Sequence, residues 1–338
     1  MEQVQMAVIG VGLFGEYHVK TYAEYARSEL VAVCDLNEAR AKELAEKYGC
    51  RYTTDLREIA EDPDIRAVSV ATPDFAHRDP VVQMLEAGKH VLVEKPLATT
   101  TGEAREMVQA AKKHRVKLMV DFQNRWSPPF VRAKEEIASG AFGEPVMGYG
   151  RLANTQSVPT EMLSWAGKSG PQWFLLPHLI DLVKWLFDER AIRVYAVGQR
   201  EILRAKGIDA YDAIQAIVTF EHATATFETA WVIPNGYPSV IDFNVVLYGT
   251  KGRIGIKPDH QGIEITGEQH AWPLVLAMQD AHGHTSGFVQ YPIMHFVDCV
   301  ADEKEPLGNG EEGFEITAII EAIERSIEEK RIVEVERL

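Results

Sequence analysis

The sequence predicts an α/β domain built on a doubly wound parallel sheet, followed by an α+β domain with a large, mostly antiparallel, open-faced sheet. Short apolar runs alternate with helical patterns up to residue 123. That alternation indicates a parallel sheet with helices on both faces. Beyond residue 123, strand-like segments follow one another between turn residues, as in antiparallel sheets. A chain of 338 residues also exceeds the usual size of one hydrophobic core.

Each element of the first domain, residues 1–123, follows from its local pattern. Val- and Ile-rich runs without polar alternation predict strands that are buried on both faces. Longer segments, most of them opened by Asp, Asn or Thr, predict helices. The predicted strands are 4–9, 30–34, 65–71, 90–93 and 117–122, and the predicted helices are 14–26, 37–48, 55–61, 75–87 and 101–114.

The second domain, residues 124–338, contains strand-like segments at 213–221, 223–233, 241–248 and 252–257. Pro-Asn-Gly-Tyr-Pro and Gly-Thr-Lys-Gly turns separate them, and polar residues alternate with apolar ones along the second segment. This alternation predicts a sheet with one less buried face. Two amphipathic helices, 291–302 and 311–329, close the chain and could pack back on the first domain.

Composition and charge exclude several classes of protein. The hydrophobic share of 46% and the charged share of 25% are typical of a globular protein. A formal net charge of -15 argues against nucleic acid and anionic membranes as partners. Cys34, Cys50 and Cys299 are scattered, which predicts neither a disulfide framework nor a zinc site. With no recognisable leader pattern, the expected location is the cytoplasm.

A glycine-rich turn after the first predicted strand predicts a dinucleotide site. Gly10, Gly12 and Gly15 form a G-x-G-x-x-G pattern at the start of a helix, where a pyrophosphate approaches the backbone and the helix N-terminus. Asp35 ends the second predicted strand, at the position of a carboxylate that binds both ribose hydroxyls. A carboxylate repels a 2'-phosphate, so NAD is predicted over NADP, although Arg40 could soften that exclusion.

Residues at the ends of the other predicted strands complete this site. Strand carboxyl ends near the point where the strand order reverses are where such sheets bind ligands. His77 lies at a helix start, where a plain first-turn residue is the alternative interpretation. The predicted cofactor-binding residues are Gly10, Gly12, Leu13, Phe14, Gly15, Asp35, Leu36, Arg40, Thr72, Pro73, His77, Glu94, Lys95 and Asn124.

Lys95 is the predicted catalytic base. It follows the apolar run 90–93 and precedes Pro96, so burial would lower its pKa and make it a usable base near neutral pH. The alternative is that Lys95 lies just beyond the strand, in water. Glu94 and Lys95 would face opposite sides of an extended strand, unless the chain has already turned there.

Together these residues resemble the Gfo/Idh/MocA oxidoreductase family, which includes glucose-fructose oxidoreductase and inositol dehydrogenases. The resemblance rests on Gly10 to Gly15, Asp35, Ala-Thr-Pro at 71–73 with His77, and Ala-Gly-Lys-His-Val-Leu-Val-Glu-Lys-Pro-Leu-Ala at 87–98. It continues through the runs 121–128, 140–145 and 248–252 to Phe-Val-Asp at 296–298. The resemblance implies a dimer or tetramer that forms through the open face of the second sheet.

The family's second catalytic cluster reads Asp-x-Gly-x-His-x-x-Asp, and the resemblance assigns His178 and Asp181 to it. Phe174 stands in place of the first aspartate and Leu176 in place of the glycine. The implied proton transfer therefore depends on Lys95 and His178, or borrows Asp181, one helical turn away.

The predicted function is NAD-dependent hydride transfer between nicotinamide and a secondary alcohol or ketone of a sugar, sugar acid or cyclitol. Lys95 would take the hydroxyl proton with help from His178. The alternatives are an NAD-using glycosidase and a non-catalytic dinucleotide-binding regulator. No metal is predicted, because His282 and His284 lack a third ligand at a recognisable spacing. The candidate substrate residues are Lys95, Arg125, Trp165, Lys168, Trp173, His178 and Asp181.

Overall fold

The computed structural model describes residues 3–267 and 270–338, and the chain divides into two compact units. The first unit contains the residues up to 123, residues 278–317 and residue 338, and the second contains 124–277 and 318–337. The boundary after residue 123 is the one used in the sequence analysis. The predicted second domain ran from 124 to 338, with its closing helices expected to pack back on the first domain; residues 278–317, which include the first of these helices, belong to the first unit.

A six-stranded parallel sheet forms the core of the first unit, in the order β3-β2-β1-β4-β5-β6. The order reverses between β1 and β4, as in doubly wound dinucleotide-binding sheets. Most side chains on both faces of this sheet are apolar and buried. The strands are β1 (Val4–Ile9), β2 (Ser28–Cys34), β3 (Arg51–Thr53), β4 (Ala67–Val70), β5 (His90–Glu94) and β6 (Leu118–Asp121).

Helices connect these strands, and polar residues cap several of them. Asn37 accepts a hydrogen bond from the Arg40 backbone N–H, and Thr100 accepts one from that of Glu103. Such side chains satisfy backbone donors that the first helical turn leaves open. The helices are α1 (Leu13–Glu24), α2 (Glu38–Tyr48), α3 (Leu56–Glu61), α4 (Arg78–Glu86) and α5 (Thr101–His114).

The later segment of the first unit packs on the same sheet. Helix α9 (Gln290–Ala301) contacts α1, β1, β5 and β6 through an apolar face that includes Ile293, Phe296 and Val297. A short hairpin of β15 (Gln279–Ala281) and β16 (His284–Ser286) precedes it. The apolar face of α9 explains why this segment belongs to the first unit, since that face is buried there.

The second unit is built on a seven-stranded sheet in the order β12-β11-β7-β10-β9-β8-β17. All neighbouring strands are antiparallel except β7 and β10, which are parallel. The strands are β7 (Pro145–Thr155), β8 (Ala191–Gln199), β9 (Ala213–Phe220), β10 (Thr224–Ile233), β11 (Ile241–Gly249), β12 (Arg253–Ile256) and β17 (Val333–Glu334). A separate two-stranded ladder joins β13 (Ile265–Thr266) and β14 (His270–Ala271).

Helices cover one face of this sheet and leave the other open. The helices are α6 (Pro128–Ala138), α7 (Pro171–Phe174), α8 (Leu176–Phe187) and the later part of α10 (Gly310–Glu329). Helix α8 packs so closely on β7 that a Cβ atom at Gly150 would lie 2.7 Å from Leu179 Cδ1. On the opposite face Tyr195, Val197 and Ile217 remain 44–46% exposed.

The predicted fold class is confirmed in both parts. Strands β3, β7 and β8, the short strands β13 to β17, and helices α6 and α7 were not predicted from the sequence. Strand β7 lies between β10 and β11, so the sheet inserts an earlier segment between two strands that are neighbours in sequence. No helix in the described part of the chain combines the length and apolar character that crossing a bilayer requires.

Candidate functional site

The predicted cofactor residues of the first unit follow β1, β2, β4 and β5. Gly10, Asp35, Thr72 and Lys95 each come within two residues of the end of one of these parallel strands. Parallel strands place their carboxyl ends at one edge, so the fold gathers these residues there. This is the edge at which doubly wound sheets bind ligands.

The glycine turn has a separate steric reason for each glycine. Gly10 has a φ of +81°, and a Cβ atom there would lie 2.8 Å from the backbone of Ala71 and Thr72. A Cβ atom at Gly15 would lie 1.9 Å from the Gly10 carbonyl oxygen. At Gly12, in contrast, no described atom lies within 4 Å of such a Cβ. The open space at Gly12, at the N-terminus of α1, fits the approach of a pyrophosphate.

Asp35 is held in place by the glycine turn. Its carboxylate accepts a hydrogen bond from the Val11 backbone N–H at 2.8 Å and another from that of Asn37 at 2.8 Å. Next to it, Leu36 has an almost fully exposed side chain. Leu13, at the start of α1, is also exposed, and Phe14 is half-buried.

Arg40 is engaged with protein groups. Its guanidinium donates to the Val11 carbonyl at 3.1 Å, to Glu16 at 2.5 Å and to Glu43 at 2.9 Å. The Arg40 guanidinium, which could otherwise bind a 2'-phosphate, therefore already binds protein groups. The geometry therefore fits NAD at this turn.

The loop after β4 is tied to the loop after β5. The Thr72 hydroxyl donates to the Ala76 carbonyl at 3.1 Å, and Pro73 precedes a short 3-10 helix. His77 is buried, with Nδ1 2.8 Å from the Pro96 carbonyl and Nε2 3.0 Å from the Thr72 carbonyl. Burial lowers the pKa of His77. Both ring nitrogens face protein carbonyls, an arrangement that favours positioning of the loops over direct contact with a cofactor.

Lys95 is buried at this edge, directly after Glu94, the last residue of β5. The Lys95–Pro96 peptide bond is cis. Burial lowers the pKa of the Lys95 ammonium, against the opposing attraction of Glu94, Asp74 and Asp121. A lysine in this environment releases its proton more readily than one in water.

His18 and Asp121 join Glu94 in a buried cluster that the sequence analysis missed. His18 Nε2 lies 3.2 Å from Glu94 Oε1 and 3.8 Å from Asp121 Oδ2. Burial would raise the pKa of Glu94, but the hydrogen bond and charge of His18 outweigh it and hold that pKa below its usual value. Burial and the Glu94 charge raise the pKa of Asp121 well above its usual value.

A signal for this cluster was present in the sequence. Glu94 directly follows the predicted strand 90–93, Asp121 lies near the end of the predicted strand 117–122, and His18 lies one turn after Gly15 in the first helix. Only the register of β5 and β6 shows that the two carboxylates are paired across the strands.

In the second unit, Arg125 and Asp181 bind each other. Arg125 Nε donates to Asp181 Oδ2 at 3.0 Å and Nη2 donates to Oδ1 at 2.5 Å, and both side chains are buried. The guanidinium also lies 5.8 Å from the centroid of the Trp185 ring. This two-point ion pair gives both candidate substrate residues a structural role that the sequence analysis did not foresee.

His178 lies half-buried on α8, and Phe174 ends the preceding α7. The Phe174 ring packs on Trp165 and Trp231, with centroids 6.2 Å and 5.8 Å apart. An aromatic cluster thus occupies the position at which the resemblance implies a carboxylate.

The remaining candidates of the second unit lie in three different places. Trp173 is buried, and its Nε1 donates to Glu324 at 3.2 Å, as a core residue would. Trp165 and Lys168 line a cavity of about 670 Å³ within this unit. Asn124 lies in the 3-10 helix Gln123–Trp126, at the start of the second unit.

His282 and His284 lie elsewhere than the sequence analysis expected. It assigned both to the second domain, but they lie in the first unit, at the β15–β16 hairpin, and both are exposed. The hairpin is attached to α1 through Thr285, whose backbone N–H donates to Glu24 at 2.9 Å.

A doubly wound sheet with this turn and a placed Asp35 defines a dinucleotide-binding protein. Residues 4–122 match the model of an oxidoreductase family with an NAD-binding Rossmann fold, and residues 130–255 match that of the GFO/IDH/MocA C-terminal domain. The chain therefore belongs to the Gfo/Idh/MocA family of NAD-binding oxidoreductases. The predicted family, oxidoreductase class and cofactor are confirmed.

Individual relatives cover most of the chain. It is 28% identical to scyllo-inositol 2-dehydrogenase (NAD(+)) of Bacillus subtilis, over 90% of this chain and 88% of that protein. It is 31% identical to an inositol 2-dehydrogenase of Rubrobacter xylanophilus, over 76% of this chain and 72% of that protein. The solved structure of GenD2 from gentamicin A biosynthesis in complex with NAD matches with a TM-score of 0.87 and 26% identity, over 99% of this chain and 97% of that one.

Proposed function

We propose that this protein is an NAD-dependent dehydrogenase that oxidises a secondary alcohol of a cyclitol, sugar or sugar acid, with Lys95 as the acid/base and His178 as its assistant. The observation that carries the proposal is the burial of Lys95 at the carboxyl edge of the dinucleotide-binding sheet, in surroundings that lower its pKa. A base with a lowered pKa is what alcohol oxidation near neutral pH requires.

NAD, when bound, supplies the hydride acceptor at the nicotinamide. The chain must then remove the hydroxyl proton, and the unprotonated amine of Lys95 is the group assigned to this step. Protonated Lys95 cannot accept that proton, so the oxidation rate should rise with pH through the lowered pKa of Lys95.

His178 is assigned to hydrogen-bond the same hydroxyl. Lys95 belongs to the first unit and His178 to the second. Since Asp181 is bound to Arg125 and Phe174 is aromatic, neither supplies an available carboxylate to this step. Lys95 is therefore proposed as the principal proton carrier.

The substrate class rests on the relatives and on the second unit. Relatives named for inositol oxidation favour a cyclitol. The cavity that contains Trp165 and Lys168 offers an aromatic ring and a cation, groups that suit the C–H faces and hydroxyls of a polyol.

The experiment is an NADH-absorbance assay over inositols, sugars and sugar acids, with the wild type, Lys95→Met and Lys89→Met. Lys89 is the matched control, because it is a second buried lysine on the same chain segment, with its ammonium donating to the Ile65 carbonyl at 2.7 Å. We expect Lys95→Met to lower kcat by about 10²–10⁴-fold, with a much smaller loss of NAD affinity. Lys89→Met should keep its turnover.

The outcomes also separate the alternatives. Turnover by Lys95→Met at the wild-type rate would exclude Lys95 as the base. In a parallel assay with a chromogenic glycoside, hydrolysis without net NADH formation would identify an NAD-using glycosidase. Tight NAD binding with no turnover of any polyol would favour a regulator.

We further propose a homodimer or homotetramer that forms through the open face of the second sheet. Exposed Tyr195, Val197 and Ile217 support this assembly, since apolar side chains on one sheet face are typical of an interface. Light scattering after gel filtration should show Ile217→Lys dissociating, whereas Val131→Lys on α6 should leave the assembly intact. An unchanged mass for Ile217→Lys would exclude this face.

A cytoplasmic location is proposed as well. Cys34, Cys50 and Cys299 are all free thiols, which fits a reducing compartment. Cell fractionation with an antibody to the protein tests this location, and recovery outside the cytoplasmic fraction would exclude it.

A further inference from the structure

The cluster of His18, Glu94 and Asp121 brings three metal-ligating side chains together. Glu94 and Asp121 are register partners on the parallel strands β5 and β6, so their side chains point to the same face of the sheet. His18 reaches them from α1. One donor atom from each residue can be chosen so that all three lie within 4.8 Å of one another.

Asp121 is buried without a hydrogen bond for its carboxylate. Its side chain has no exposed surface, and neither oxygen has a hydrogen-bond partner among residues 3–267 and 270–338. A buried carboxylate without a hydrogen bond is costly unless it takes up a proton or binds a cation, and the nearby Lys95 ammonium offsets part of that cost. Oδ2 lies 3.8 Å from His18 Nε2, where a cation between the three side chains could use it.

The distances fit a first-row metal ion. Metal–ligand bonds of about 2.0–2.2 Å place neighbouring ligand atoms about 3.0–3.5 Å apart. His18 Nε2 lies 3.2 Å from Glu94 Oε1 and 3.8 Å from Asp121 Oδ2, so the imidazole is within a few tenths of an ångström of this spacing to each carboxylate. One imidazole and two carboxylates suit zinc-like ions, whereas calcium takes six to eight oxygen ligands.

The surroundings of His18 support the ligand orientation. His18 Nδ1 lies 2.9 Å from Ser69 Oγ, which lies 2.5 Å from the Tyr22 hydroxyl. When Nε2 presents its lone pair to a metal, Nδ1 carries the proton and donates it to Ser69. Metal-binding histidines commonly have such a partner on the second nitrogen.

We propose that His18, Glu94 and Asp121 form a binding site for one zinc-like divalent ion at the carboxyl edge of the parallel sheet. The ion replaces the proton that Asp121 otherwise holds. It enters past Glu94, whose side chain is 10% exposed whereas that of His18 is 1% exposed.

The test is calorimetry of the full chain with zinc chloride after chelator treatment, together with the visible spectrum of the cobalt(II) form. We expect one ion per chain and a cobalt spectrum of nitrogen and oxygen ligands, without thiolate charge transfer. Loss of a residue that only hydrogen-bonds a metal ligand weakens metal binding roughly 10- to 100-fold. Asp121→Asn removes a ligand and should weaken zinc binding by more than that. Ser69→Ala should weaken it within that range.

The control addresses the other candidate for zinc in the first unit. Cys299 Sγ lies 3.4 Å from His295 Nε2, and a thiol with an imidazole also attracts zinc. If zinc binds at the proposed site and not at this pair, Cys299→Ser should still bind one ion per chain.

Two results would overturn the site. One is no heat of zinc binding in a wild-type chain that melts cooperatively. The other is zinc binding that survives in Asp121→Asn and disappears in Cys299→Ser. His18→Gln replaces Asp121→Asn if the latter does not melt cooperatively.

Discussion

The Val11 backbone N–H donates a hydrogen bond to the Asp35 carboxylate at 2.8 Å, and so joins the glycine turn to the residue predicted to bind the ribose. The two predicted cofactor contacts are therefore not independent. A change at Asp35 removes a carboxylate and also releases the backbone of the turn.

The first prediction concerns this carboxylate. Asp35→Ser should lower kcat/KM with NAD roughly tenfold to hundredfold. This corresponds to a loss of about 1.5–3 kcal/mol of binding free energy, because hydrogen bonds to a charged group are lost. The NADP rate should fall less or rise, since repulsion of the 2'-phosphate is removed. Parallel assays with both cofactors measure the ratio, and an unchanged ratio would contradict the assignment of Asp35.

A second prediction compares two glycines of the turn. Gly12→Ala should cost about 1 kcal/mol of stability or less, because its Cβ meets open space at a helix N-cap, yet it should abolish NAD binding. Gly15→Ala should cost about 1–3 kcal/mol, because its Cβ would lie 1.9 Å from the Gly10 oxygen. Urea unfolding and NAD titration separate the two effects. Retained NAD affinity in Gly12→Ala would argue against the pyrophosphate position.

The third prediction concerns the buried pair in the second unit. Arg125→Met should destabilise the protein by about 3–5 kcal/mol, since it leaves the Asp181 carboxylate buried without its charge partner. The double variant Arg125→Met with Asp181→Leu should recover a large part of that loss. Urea unfolding of the single and double variants measures the coupling, and strictly additive losses would exclude it.

The fourth prediction uses the raised pKa of Asp121 in the metal-free protein. The pKa of Asp121 is higher in the folded chain than in the unfolded chain, where it lies near 3.8. Protonated Asp121 therefore stabilises the folded chain below pH 3.8, and this stabilisation disappears as the pH rises through the folded-state pKa. Asp121→Asn has no such carboxyl. In chelator, the Tm of the variant minus that of the wild type should therefore increase with pH above about 4. A difference that falls with pH would contradict the assigned shift.

Much of the dinucleotide site could be predicted because its determinants are local. A glycine pattern, a strand end and the spacing to Asp35 lie within a few dozen residues, and backbone sterics at Gly10 and Gly15 enforce them. The six strands of the parallel sheet were recovered except for the three-residue β3, which is too short to show a pattern. The second sheet was harder, because half-buried strands such as β8 alternate weakly and β7 pairs out of sequence order.

The sequence by itself determined the family fold, the cofactor turn and the position of Lys95 at a strand end, because these depend on local backbone geometry and on hydrophobic periodicity. Only the tertiary structure decided that Arg125 binds Asp181 and that His18 and Asp121 meet Glu94. Those outcomes depend on register and packing between segments far apart in the chain, which no local pattern encodes.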